Sequence, residues 1–226
     1  MNTIRRAVLR HGVAGCLILG ARYAARCLFM ALYRHERHIW YVAAPTALKA
    51  DHPLPKGLKL HRSGREHLDL LSQANLCGWS TAETFLAEGG DVWIVREAER
   101  AASSFWIFRT RMPTVAARGG WKNLPSNTVC LEGAATNADY RGRGIAPAAW
   151  ALIAQSLKEE GIRKIITKVE EDNMPSRRAV LKAGFHEVAM MDYLHVGGLS
   201  RVRVVPVGEI LGQDRDMLME LQKLAA

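Results

Sequence analysis

The chain has 226 residues, 49% of them hydrophobic, enough to bury a substantial core in one main domain with an appendage. Its formal net charge of +9 is uneven: residues 1–40 hold seven arginines against one glutamate, which is +6 and leaves +3 for the other 186 residues. A nucleic-acid-binding core would carry its basic stripe on the folded domain, so no nucleic-acid partner is expected; the four scattered cysteines, with no Cys-x-x-Cys pair or histidine ligand spacing, exclude a disulfide framework and a zinc site and point to a reducing, cytoplasmic compartment.

Residues 1–44 read as a basic amphipathic helix followed by a short strand. Leu17, Ala21, Ala24, Leu28 and Leu32 recur at three- and four-residue spacing, with Arg22, Arg26 and Arg37 on the other face. The charge-free run Val13 to Ala21 falls far short of the roughly 20 residues that a spanning helix needs. The helix therefore either packs on the domain with its arginines in water or rests on an anionic membrane surface, at the inner face of the cytoplasmic membrane. A cleaved signal peptide is the third reading, since arginines 5, 6 and 10 precede the apolar run. Cys16 and Cys27, eleven residues apart on one helical face, read as buried thiols, with acylation as the alternative.

"IWYVAA" is a short apolar run, and residues 45–57 contain three prolines and read as a linker. The main domain is expected over 58–200, with 201–226 completing it. It opens with a strand at "LKLHR" and two short helices, "REHLDLLSQAN" and "STAETFLAEGG", the second with Ser80 as N-cap and Glu83 three residues on. Strands are expected at 91–97, 103–111 and 128–136, the first two as a hairpin. A helix begins near Gly144, followed by a strand at 164–170, a helix over 174–183, two strands within 185–207, and a final helix over 208–225. Hairpins followed by a β-α-β unit predict an α+β fold with a mixed sheet.

The informative stretch is "ADYRGRGIAPAAWALIAQ", residues 138–155. Ala146, Ala149, Trp150, Ile153, Ala154 and Leu157 keep the helical period, while Pro147 is tolerable only within the first turn, where its missing N–H has no partner in any case. The free amides of Gly142 to Ala146, the helix dipole, and Arg141 and Arg143 converge on one place, and the glycines permit the turn. Such a place attracts an anion, a phosphate above all. No Gly-x-x-x-x-Gly-Lys is present, and "GRGIAP" puts proline where a dinucleotide motif needs its third glycine.

Arg141-x-x-Gly144-x-Ala146 resembles the [Q/R]xxGx[G/A] signature of the GCN5-related N-acetyltransferase (GNAT) family, and "VEEDNMPSRRAVLKAGF" (169–185) resembles its second block. The similarity covers roughly residues 58–197. It implies a mostly antiparallel central sheet with helices on both faces, and acetyl-coenzyme A as acyl donor, with no metal. The pyrophosphate would lie on the amides of Gly142, Arg143, Gly144, Ile145 and Ala146 beside Arg141, and the pantetheine arm along Ala134, Ala135 and Thr136. Asn173 matches the family asparagine that contacts the coenzyme arm; it is equally a helix N-cap, and one residue can do both. Transfer to a primary amine would be by direct attack, with Glu132 as general base in an otherwise apolar strand or, alternatively, as a solvent-facing glutamate.

The sequence departs from the family at Val180, where many members place a proton-donating tyrosine, and at Ala138, where proline is frequent; Tyr140 and Tyr193 are substitutes for the former. The acceptor is expected to be a small-molecule or glycan amine, membrane-linked if the N-terminal helix binds lipid, and a homodimer is open to the chain. A non-catalytic acyl-coenzyme A sensor or membrane-surface scaffold is the alternative function. Trp79, Trp93, Trp106, Phe105 and Phe108 are expected in the core, with Trp79 alternatively lining a pocket; His186 and His195 are expected to be structural.

Overall fold

The computed structural model describes residue 18 and residues 32–50, 52–208, 210 and 212–225. The expected N-terminal helix lies, up to residue 31 and Ile18 apart, outside the described residues. Ten strands and five α-helices are described. The strands are β1 (Tyr33–Ala43), β2 (Lys59–Ser63), β3 (Asp91–Glu97), β4 (Arg100–Phe108), β5 (Arg111–Pro113), β6 (Trp121–Asn123), β7 (Thr128–Thr136), β8 (Lys164–Glu170), β9 (His186–Val196) and β10 (Leu199–Pro206). The helices are α1 (Leu68–Gln73), α2 (Trp79–Ala87), α3 (Ile145–Glu159), α4 (Met174–Ala183) and α5 (Arg215–Gln222).

Eight strands form one sheet in the order β10-β9-β1-β8-β7-β4-β3-β2. Every pairing in it is antiparallel except β7 with β8. β1 corrects the expected organisation. Its residues do not stand apart from the domain: they lie in the middle of the sheet, paired with β8 on one side and β9 on the other. Arg37, expected on a helix face, is in this strand, opposite Asp192. The apolar run from Ile39 to Ala43 is buried on both faces, as a strand with neighbours on both edges and layers above and below must be.

The alternation of β1 divides the core. Ile39, Tyr41 and Ala43 join Phe105, Leu131, Trp150, Ile153 and Phe185 under α3 and α4. Trp40 and Val42 point the other way, joining Trp106, Phe108, Leu68, Ala82, Met217 and Leu221 under α1, α2 and α5. Helices thus cover both faces, as the resemblance implies, and Trp93, Phe105, Trp106 and Phe108 are buried. Trp79 is 41% exposed.

Three local expectations shift. α2 begins at Trp79 with Gly78 at the N-cap, so Ser80 lies inside the helix, where its carbonyl accepts from Thr84. The final helix is shorter than expected: Gly208 is left-handed (φ 69°), and α5 starts after Asp214, whose buried carboxylate takes a 2.7 Å bond from His186. The loop after β4 contains the unforeseen β5–β6 pair.

Candidate functional site

β7 and β8 are paired only from Thr128 opposite Lys164 to Cys130 opposite Ile166. Beyond that point β7 follows β4 and β8 follows β1, so the sheet opens. The cause lies in β7. Its register with β4 slips by one residue between Ser104 and Trp106, which places an extra residue at Gly133–Ala134. Gly133 adopts φ 55°, and an added Cβ would stand 3.0 Å from Trp106 Cδ1. A bulge of this kind bends its strand and interrupts the ladder. Gly133 and Ala134 are exposed as a result.

The opening is the floor of a cleft of about 1080 Å³. All the residues named from the sequence for the coenzyme line it: Ala134, Ala135, Thr136, Arg141 to Ala146 and Asn173. At its mouth Gly142 (φ 74°) and Gly144 (φ 70°) are left-handed, and neither would have a protein atom within 4 Å of an added Cβ. Their glycine requirement is therefore conformational, and the space beside them is open. Gly144 is the N-cap of α3 and supplies no side-chain cap, so no capping side chain takes the first-turn amides. Pro147 sits in that first turn, as expected.

The arginines are anchored within the turn. Arg141 Nε donates to Thr136 O (3.1 Å) and Arg143 Nη2 to Asp139 O (2.8 Å), with the Arg143 guanidinium 5.2 Å from the Tyr140 ring centre. On the strand, Ala135 O already accepts from Ser103 Oγ (2.6 Å). Asn173 is the helix N-cap foreseen for it. Its side chain accepts from Ser176 N at 3.2 Å, capping α4, and it lines the cleft.

Glu132 lies in the cleft but not in the apolar setting expected. Its Oε1 accepts from Lys168 Nζ at 2.6 Å, and the two side chains are 15% and 11% exposed. Lys168 Nζ also donates to Pro113 O (2.8 Å) and lies 5.6 Å from the Trp40 ring centre. Beside them is His38, 7% exposed, whose Nδ1 has no hydrogen-bond partner. Burial, then the Lys168 charge, hold its imidazole down at about 4, so it is neutral through the physiological range. Cys130 Sγ stands 4.0 Å from Glu132 Oε1; burial pushes that thiol well up, which keeps it from being a nucleophile. Lys168 and His38 were not foreseen. The sequence signals were a lysine in an apolar strand two residues before Glu170, and a histidine adjoining "IWYVAA".

Val180 lines the cleft, as does Tyr140, whereas Tyr193 is not among the lining residues and its hydroxyl faces Ser200 (3.4 Å). His186 and His195 are bonded to Asp214 and Ser200. No cluster of metal-ligating side chains occurs among the described residues, and no described helix is long and apolar enough to cross a membrane.

The sequence matches the model of the "Acetyltransferase (GNAT) family" over residues 68–185, just over half of the chain. Similar solved structures include a GCN5-related N-acetyltransferase from Kribbella flavida, with a TM-score of 0.51 and 15% identity over 77% of this chain and 64% of that one. A protein of unknown function from Staphylococcus epidermidis gives a TM-score of 0.55 at 8% identity over 74% and 64%. A GCN5-related glucosamine N-acetyltransferase region of a fungal multi-domain β-N-acetylglucosaminidase gives 0.52 at 14% identity over 78% and 23%. The chain spans less than two thirds of the length of each. The comparison with curated proteins gives no match.

Proposed function

We propose, from the premise that this chain belongs to the GNAT family of acetyltransferases, that it moves an acetyl or other acyl group from coenzyme A to a primary amine. The observation that carries the reading is the conjunction of an open strand edge with an uncapped helix start at one cleft. The amides at the start of α3 and the left-handed glycines suit a diphosphate, and the exposed edge of β7 at Gly133–Ala134 suits an extended amide-bearing arm. Coenzyme A supplies the activated thioester.

The chain's own part is alignment and charge. The sheet opening joins its two faces, with α3 on one and Glu132, Lys168 and His38 on the other. An amine arriving on the second face meets Glu132, which draws the ammonium and takes its proton directly or through water. Amides freed by the bulge are available to a developing oxyanion. Holding both substrates in one cleft provides much of the remaining acceleration. The acceptor class we favour is an amino sugar or another membrane-linked amine, supported by the +6 charge of residues 1–40. Binding to anionic but not zwitterionic vesicles, lost on removal of residues 1–31, is expected; equal binding to both would remove that part.

The test is calorimetry with acetyl-coenzyme A and thiol release across an amine panel. Gly144→Glu adds left-handed strain and a like charge at the diphosphate and should weaken binding about tenfold or more. Glu132→Gln should leave binding intact and lower turnover. Tight binding without any turnover would instead identify a non-catalytic sensor, and no binding would refute the site.

A further inference from the structure

The last parallel pair is Cys130 with Ile166. Two residues further along each strand stand Glu132 and Lys168, whose side chains meet at 2.6 Å across the opening. Residues two apart on a strand share a face, so this bridge lies on the face that holds Cys130, Ile166, Trp40 and Trp106, opposite α3 and α4. Lys168 is fixed from two further sides. Pro113, on the β5–β6 pair, accepts its second hydrogen bond, and the Trp40 ring from β1 lies against its charge. Residues from three separate parts of the chain thus immobilise one ammonium.

Stability does not account for this. A nearly buried ion pair gains little over a well-packed apolar pair of the same volume, because both charges are taken out of water, and fixing a lysine costs its rotamer freedom. What the bridge does achieve is geometric. A glutamate beside a left-handed bulge, at the edge of a parted sheet, has no neighbouring strand to hold it on that side. Lys168 engages Oε1 and leaves Oε2 to an incoming group.

We propose that Lys168 is the positioning residue of this site: it holds the Glu132 carboxylate across the sheet opening, on the face from which an amine reaches the thioester. The proposal rests on the acyl-transfer reading. Lys168 also acts on His38, its near neighbour on β1. The titratable and charged groups around that imidazole are Arg34 and Glu36 on β1, Lys168 and its strand neighbour Glu170 on β8, and Tyr193 on β9. Lys168 is the largest charge effect among those that lower it.

The experiment compares the full chain with Lys168→Met and Lys168→Arg, using Lys168→Gln if the methionine variant does not fold. Three quantities are measured: coenzyme A affinity by calorimetry, thiol release from acetyl-coenzyme A with saturating amine and with water alone, and the His38 imidazole titration by NMR. For Lys168→Met, kcat should fall about 10- to 100-fold, the loss expected of a misplaced catalytic group. Coenzyme A affinity should stay within about twofold, as expected for uniform binding left intact, and Lys168→Arg should recover much of the rate. The His38 titration should rise above about 4, with burial still holding it below 6.5. An unchanged kcat overturns the proposal. So does a loss of rate that tracks lost stability and coenzyme affinity without rescue by arginine. If the wild type binds coenzyme A yet releases no thiol to any amine or to water, the acyl-transfer reading fails and the positioning role falls with it. A wild type that turns over beside a Lys168→Met variant of equal rate removes the positioning role alone.

Discussion

Gly184 and Gly144 are both left-handed glycines in the two stretches that carry the family resemblance, yet they are glycines for different reasons. At Gly184 (φ 105°) a Cβ would lie 2.5 Å from Ala47 O, a backbone atom. Gly184→Ala therefore adds a clash to the left-handed strain, and we expect the unfolding free energy in urea to fall by about 2 kcal/mol or more. At Gly144 a Cβ meets nothing, so Gly144→Ala should cost only about 1 kcal/mol of strain. The sequence pattern treats the two alike; only their surroundings separate them. His38 gives a second residue-scale prediction. Its native value of about 4 lies below its ordinary 6.5, so between these pH values the unfolded chain binds a proton that the folded chain refuses. The stability is complete above pH 6.5 and declines as pH falls to about 4, by about 3 kcal/mol at about 1.4 kcal/mol per pH unit. His38→Gln should flatten that part of the stability–pH curve measured by chemical denaturation.

Among the elements, α4 has a legible start and stop: Asn173 caps it, Pro175 follows in the first turn, and Gly184 ends it. Asn173→Ala should cost about 1 kcal/mol through loss of the cap. Asn173→Ser retains a capping oxygen, so comparing the coenzyme affinities of the two variants separates capping from ligand contact. If both lose affinity, the amide itself touches the coenzyme; if only the alanine variant does, the cap is the whole role. α2 was less legible. Ser80 with Glu83 forms a plausible capping box, but the helix extends back to Trp79 and Glu83 pairs with Arg65 instead. A box signal is local, and a partner from another element displaced it. The β5–β6 pair left no periodic trace because its strands have three residues each, too short for alternation to register.

For the whole molecule, the decisive feature is β1. It supplies His38 to the cleft, Trp40 and Val42 to the core under α1, α2 and α5, and Ile39, Tyr41 and Ala43 to the other core. It also joins the β9–β10 hairpin to the rest of the sheet. Val42→Pro would remove a donor from a strand paired on both sides and insert a ring where both neighbours are close. A loss of about 3 kcal/mol or more is expected, read as loss of a cooperative thermal transition. A variant that unfolded cooperatively near the wild-type temperature would show that β1 is dispensable to the sheet.

The amino-acid sequence alone determined what depends on neighbours a few residues away. These are the register of α3, the glycine–arginine turn before it, the capped α4 with its glycine stop, and the strands of the main sheet from 91 to 206. Each rests on a periodicity or on a conformation that only certain residues adopt. The tertiary structure alone decided that β1 enters between β8 and β9, that β7 and β8 part after Cys130, and that Glu132 meets Lys168 there. Residues 38, 113, 132 and 168 are brought together by strand pairing and core packing, whose energy depends on which surfaces exclude water together. No local pattern in the chain records that choice of partners.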